Sequence, residues 1–256
     1  MSEPMPRTPS FRLDGRRALV TGAGRGLGLA AALALADAGA ELVLAARSGD
    51  ELDAAAALIA GRGGVATAWR LDVTDIAAVA TAVAAGPPLD IFVNNAGTNR
   101  PGPFLNVTPA DFDAVLGLNL RAAFFAAQAV ARRMVAAGKG GSIINISSQM
   151  GLVGGADRSV YCASKWAMEG FSKAMAIELG PHGVRVNTIC PTFIETELTR
   201  PFFADPGFRA SVLGKIKLGR LGRPEDVMGA VVFLAGDAAA LMTGAAVAVD
   251  GGWTAD

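Results

Sequence analysis

The chain has 256 residues, with 23 basic and 23 acidic side chains, one His, one Tyr and two Cys. One His and two Cys exclude a multi-histidine metal centre and a four-cysteine cluster, and a disulfide framework needs more cysteines in a shorter chain. The zero net charge, with basic residues scattered and only briefly paired, as at Arg16-Arg17 and Arg132-Arg133, lacks the basic stripe of a nucleic-acid binder.

Residues 1–10 are polar and proline-rich, without the apolar stretch of a signal peptide, and read as a disordered tail ahead of one domain spanning 11–256. Strand and helix then alternate. RALVT (17–21) is a strand entering a glycine-rich turn, 27–38 a helix stopped by Gly39, 41–46 a strand and 51–60 a helix ending at Gly61. A third strand (65–71), third helix (74–85) and fourth strand (89–94) follow. Residues 109–138 hold one or two helices around Asn119, and 141–147 is a fifth strand. A long helix (159–179), a sixth strand (184–189), a last helix (224–234) and a seventh strand (245–249) complete the pattern. Short apolar strands alternating with helices predict a single-domain α/β fold, a Rossmann-type doubly wound parallel sheet of about seven strands with helices on both faces. The most apolar stretch, 227–249, is divided by Gly229, Gly236, Asp237 and Gly244, so it reads as buried helix then buried strand and no membrane span is expected. Two free cysteines fit a reducing, cytoplasmic setting.

The first strand ends in Thr21-Gly22-Ala23-Gly24-Arg25-Gly26-Leu27-Gly28. Glycines there permit a tight turn, close backbone approach to a pyrophosphate and close packing of the next helix, whose N-terminal N–H groups face the phosphates. A ribose-reading carboxylate belongs at the tip of the second strand. Instead the strand runs into Ala45-Ala46-Arg47-Ser48. Arg47, with Arg25 nearby, offers a donor fork suited to a 2′-phosphate, which favours NADP(H) over NAD(H).

Seven ordered motifs now stand together: TGAGRGLG (21–28), LDV (71–73), NNAG (94–97), LNL (118–120), ISS (146–148), YCASK (161–165) and PTFIET (191–196). Across nearly all of residues 11–256 the sequence resembles the short-chain dehydrogenases/reductases, nearest to the subgroup of 3-oxoacyl reductases and sugar or polyol dehydrogenases. The resemblance implies a catalytic set of Asn119, Ser148, Tyr161 and Lys165. Hydride delivery to a ketone leaves an alkoxide that needs a proton, and a tyrosine of pKa about 10 is too weak an acid for reversible work near neutrality. Lys165, four residues on along the same helix face, is expected to lower that pKa; three units need about 4 kcal/mol. Ser148 would hydrogen-bond the substrate oxygen, and Asn119 would hold a relay water. The resemblance also implies that Asp72 and Val73 contact adenine, that Asn95, Ala96 and Gly97 line the cofactor trough, and that Pro191, Ile194 and Thr196 meet the nicotinamide. Tyr161 and Lys165 are expected to touch the cofactor as well, as is Ser48 beside Arg47. The family's usual Pro-Gly after the sixth strand is Pro191-Thr192 here, which adds a side chain beside the nicotinamide.

Gln149, Met150, Leu152 and Val153 follow Ser148 and are expected in the substrate pocket, under a lid at 195–218 carrying Phe202, Phe203 and Phe208. None of the pocket residues is charged, which predicts a small ketone or secondary alcohol. The alternatives are a 3-oxoacyl-[acyl-carrier-protein] reductase, for which Lys139 and His182 would be the weak cationic patch at the site mouth, and a non-catalytic dinucleotide-sensing protein. The C-terminal strand resembles the family's assembly surface, implying a homotetramer. Cys162 reads as an inert thiol.

Overall fold

The computed structural model describes residues 5–197 and 199–255. Its elements are β1 (Arg17–Thr21), α1 (Gly26–Asp37), β2 (Glu41–Ala46), α2 (Gly49–Ala60), β3 (Ala66–Arg70), α3 (Ile76–Ala85), β4 (Ile91–Asn94), α4 (Pro109–Leu116), α5 (Ala123–Ala137), β5 (Gly141–Ile146), α6 (Ser159–Leu179), β6 (Val184–Pro191), α7 (Pro206–Lys215), α8 (Pro224–Ala235) and β7 (Ala246–Val249). The seven strands form one sheet in the order β3-β2-β1-β4-β5-β6-β7, every neighbouring pair parallel. Residues 5–10, expected to be part of a tail, are exposed and without regular structure, and residues 1–4 lie outside the described residues.

Successive strand residues point to opposite faces, so a strand covered on both faces must be apolar throughout. Val20, Leu42, Leu44, Ile91 and Val93 pack on one side with Leu35, Leu52 and Leu234 of α1, α2 and α8. Their neighbours Leu19, Val43, Phe92 and Ile143 pack on the other, with Val79, Val130 and Met134 of α3 and α5. Side-chain caps start the helices: Ser48 for α2, Asp75 for α3, Thr108 for α4 and Asp205 for α7 each accept a backbone N–H.

The expected helical region at 109–138 is two α-helices joined by a π-helical turn, Gly117–Ala122, that carries Asn119. By length and composition, 109–137 is the one helical run among the described residues able to cross a membrane. Here it buries Ala123, Ala126, Ala127, Val130, Ala131 and Met134 in the fold. The lid region carries an unexpected helix, α7, after a short 3-10 turn at Arg200–Ala204; Leu198 lies outside the described residues.

The chain runs outward from β1 in one direction through β2 and β3, and in the other from β4 onward. The loops leaving β1 and β4 therefore diverge and open a crevice at the carboxyl ends of the strands.

Candidate active site

That crevice is a cleft of about 540 Å³, and the glycine-rich turn forms one end of it. Gly22 and Gly26 hold positive φ of 63° and 57°, conformations natural to glycine. A Cβ on Gly28 would collide with the Gly22 carbonyl and the Asn95 amide, so the turn can lie this close to β4 only with glycine there. Asn95 Nδ2 donates to the Thr21 carbonyl at 2.9 Å, and Thr21 Oγ1 accepts the backbone N–H of Asn95 and Ala96 at 3.0 and 3.1 Å. Asn95 and Ala96 thus line the cleft and also brace the turn. The N-terminus of α1 has no side-chain cap at Arg25. Its first N–H groups, at Gly26, Leu27 and Gly28, have no acceptor within the helix. Uncapped donors, glycine-permitted approach and room in the cleft fit a dinucleotide pyrophosphate.

Arg47 stands exposed at the tip of β2 and lines the cleft with Ser48, Gly24 and Arg25. Sequence reasoning overlooked Glu51, whose carboxylate lies beside Gly24 and 3.6 Å from Arg25. Asp72 and Val73 line the adjoining wall. The Thr74 N–H and hydroxyl, at 2.9 and 2.8 Å, hold the Asp72 carboxyl below its usual range, with a smaller contribution from Arg47. Gly97 faces Asn119, and Pro191, Ile194 and Thr196 line the far wall beyond β6.

Ser148, Tyr161 and Lys165 converge at the centre of the cleft. Ser148 leaves β5 at its carboxyl end, and α6 brings Tyr161 and Lys165 onto one face. Lys165 is buried; its Nζ donates to the Ile146 carbonyl at 2.7 Å and lies 5.7 Å from the centre of the Tyr161 ring. Burial lowers its pKa to about 8, against the opposing fields of Cys190 and Glu169. The Tyr161 phenol departs from expectation. Burial pushes its pKa up, opposed first by Ser148 and then by the positive field of Arg158. Lys165 Nζ is tethered to the Ile146 carbonyl, and Arg158 adds a positive field that opposes the rise of the Tyr161 pKa.

Asn119 is buried, and both donors of its side-chain amide are used. Nδ2 donates to the Thr98 carbonyl at 2.8 Å and to Ser164 Oγ at 3.2 Å, while Oδ1 accepts the Thr98 N–H at 2.8 Å. Its side chain does not line the cleft. Of the two cysteines, Cys162 is half-buried, and Cys190 is buried with its thiol pushed up to about 12, mainly by burial and further by Glu169.

On the substrate side, Gln149, Met150 and Phe202 line the cleft. Ser148 Oγ donates to Gln149 Oε1 at 2.7 Å. Val153 and Phe203, expected in the pocket, do not line it. They pack with Phe193 and Phe208 onto Val212, Ile216, Leu221 and Trp253, a separate cluster that anchors α7. Lys139 and His182, expected at the mouth, precede β5 and β6 at their amino ends. That is a strand's length, roughly 20 Å, from the cleft. Arg158, overlooked in sequence, lines the cleft three residues before Tyr161. Its signal was a lone Arg in the short Gly-Gly-Ala-Asp-Arg-Ser-Val approach to the tyrosine.

A short-chain dehydrogenase family model, described as enoyl-(acyl carrier protein) reductase, matches residues 22–254. L-xylulose reductase of Bos taurus is 41% identical over 96% of this chain and 99% of its own. D-threitol dehydrogenase of Mycolicibacterium smegmatis (strain ATCC 700084 / mc(2)155) is 43% identical over 95% of each. A solved structure described as a 2-deoxy-D-gluconate 3-dehydrogenase from Agrobacterium tumefaciens, with bound NADP, superposes with a TM-score of 0.92 at 42% identity, over 98% of this chain and all of that one. The motif order, the seven-stranded parallel sheet and these near-full-length similarities together make the chain a member of the short-chain dehydrogenase/reductase family.

Proposed function

We propose that the protein is an NADP(H)-dependent oxidoreductase interconverting a small hydroxylated ketone and its secondary alcohol, with Tyr161 as the general acid and base. The observation that carries this reading is the convergence of Ser148, Tyr161 and Lys165 on the cleft that the glycine-rich turn opens. When bound, the dinucleotide supplies the hydride for reduction or accepts it in oxidation. Tyr161 Oη gives its proton to the carbonyl oxygen, and a raised pKa keeps that proton in place until the oxygen gains charge. Ser148 Oγ leaves Gln149 to donate to the same oxygen and fix its position. The Lys165 ammonium, held by Ile146, stabilises negative charge on the phenol as the proton leaves. Asn119 acts through the π-helical turn it ties down. Arg47 and Arg25, with no carboxylate at the strand tip, support the 2′-phosphate preference, in keeping with the NADP bound by the Agrobacterium relative. Sugar reductases and polyol dehydrogenases among the relatives support a hydroxylated substrate.

We also propose a homotetramer in a reducing, cytoplasmic setting. The open edge of β7 and the exposed Phe112, Phe124 and Trp166 on α4, α5 and α6 support assembly, and two free thiols support the compartment. A carrier-bound acyl substrate is a second reading, favoured by the description of the family model. The distance of Lys139 and His182 from the cleft weighs against it.

Replacing Tyr161 with Phe tests the main reading. It should lower kcat by about 10²- to 10⁴-fold while NADPH still binds, as measured by nicotinamide absorbance and fluorescence. Turnover at the parent rate would remove Tyr161 from its role.

A further inference from the structure

Arg158 is the N-cap residue of α6 and is only 7% exposed, yet it reaches the cleft beside Tyr161. A guanidinium has five N–H donors and keeps its charge in proteins. One donor is used, Nη1 donating to the Asp157 carbonyl oxygen at 3.1 Å. Among the described residues no carboxylate lies within ion-pair distance; Asp157 is exposed and contributes only a diffuse field, and Glu197, which also lines the cleft, does not pair with it. The rings of Phe202 and Phe208 flank the guanidinium at 6.0 and 5.9 Å and help strip it of water. A cation this buried is ordinarily paired, because desolvating it without a counter-ion is costly. Its remaining donors are available to whatever fills the cleft.

Further polar atoms share this situation. Asn99 Oδ1 and Thr192 Oγ1 belong to residues lining the same cleft, and both are buried without a hydrogen-bond partner. Ser147 Oγ, beside Ser148, also lines this cleft without a hydrogen-bond partner, and two such atoms lie farther from it. Buried polar groups are almost always satisfied. A plain aliphatic ketone would leave Arg158, Asn99 and Thr192 unmet. A neutral polyol would answer Asn99 and Thr192 and leave the cation bare.

We infer that the substrate carries one carboxylate, paired with Arg158, and hydroxyl groups that reach Asn99 and Thr192: a hydroxylated keto acid and the hydroxy acid it is reduced to. This rests on the oxidoreductase reading and names its substrate class. Reduction consumes one NADPH and one proton per carbonyl, and the carboxylate is untouched. A single guanidinium in an aromatic setting suits a monoanion better than a phosphate dianion.

The test has a binding arm and a turnover arm. In the first, mannonate and mannitol, then altronate and altritol, are titrated calorimetrically into the protein–NADP⁺ complex. In the second, NADPH oxidation is followed with the matched pairs fructuronate and fructose, and tagaturonate and tagatose. At least one acid should bind about 10-fold or more tighter than its neutral partner, and its keto form should be reduced with a kcat/KM higher by a similar factor. Arg158→Met should bring that acid-to-neutral ratio down towards one, and Arg158→Lys should restore part of it. Neutral partners that bind as well as the acids would overturn the inference, as would an Arg158→Met variant that weakens both alike, which would make Arg158 a clasp for the phenylalanines. Binding decides the carboxylate anchor and turnover decides the reaction, so acids that bind through Arg158 while none of the four ketones is reduced would sink the oxidoreductase reading alone. Should Arg158→Met fail to fold, the acid preference of the parent protein and its change in the Arg158→Lys variant still separate these outcomes.

Discussion

Lys165 is deprived of water by its burial and compensated by one carbonyl, which brings its pKa to about 8, against 10.5 for a free lysine. The native chain therefore releases this proton between about pH 8 and 10.5 while the unfolded chain still holds it, so native stability gains from rising pH in that window. A shift of this size is worth about 3 kcal/mol. Urea unfolding of the parent and of Lys165→Met at pH 7 and pH 10 should show the parent gaining relative to the variant; parallel behaviour would contradict the buried ammonium. Reductive turnover should also fall as pH passes about 8, because the charge that steadies the phenolate is lost. At this scale the sequence was informative where spacing forces chemistry. Tyr161 and Lys165 lie one helical turn apart, and that alone puts them on one face. Arg158 was not legible, since its significance comes from burial and from the absence of a partner, which are properties of the folded environment. The same holds for the bonds of the Asn119 amide to Thr98 and Ser164, which only the fold brings within reach.

The π-helical turn at Gly117–Ala122 ties three elements through one side chain, joining the loop after β4 to the α4–α5 run and to α6. Asn119→Ala would leave the Thr98 N–H and carbonyl without these partners in a part-buried site. We expect a loss of about 2–4 kcal/mol of stability, measured by denaturant unfolding, together with reduced kcat. A variant with parent stability would show that water replaces the amide. Regular elements were legible because β1 and β2, with their continuous apolar runs, and α6, with its length, follow general rules of burial. The π turn was not, because it breaks the period of an otherwise uniform apolar helix. Helix α7 escaped notice because Pro206 and Gly207 resemble loop residues. Its start signal was nonetheless present, an Asp205 cap followed by Pro206 at the first helical position.

At the scale of the whole molecule, the parallel sheet depends on strands that are apolar on both faces. Phe92, at the centre of the sheet in β4, is fully buried in the cluster that includes Leu89, Val130 and Ile143. Phe92→Ala should cost about 3–5 kcal/mol by thermal or urea unfolding, and a near-neutral result would mean the core collapses around the gap. The proposed tetramer makes a separate prediction: light scattering should give about 104 kDa, four times the 26.0 kDa chain, and a mass of 26 or 52 kDa would reject it. The fold was legible from the alternation of elements alone. The cleft's polarity was not, because it depends on side chains from distant parts of the chain, Asn99, Arg158 and Thr192, that only the sheet order brings together.

The single tyrosine, set where the field of Arg158 reaches it, makes the protein its own optical probe. Ultraviolet tyrosinate absorbance in this chain can come from no phenol but the one in the cleft, so a spectrophotometric titration reads one group without labels or isotopes. An anion that neutralises Arg158 removes part of the field that favours ionisation, and the absorbance midpoint should then move to higher pH. Occupancy of the anchor and readiness of the acid would be visible in the same curve.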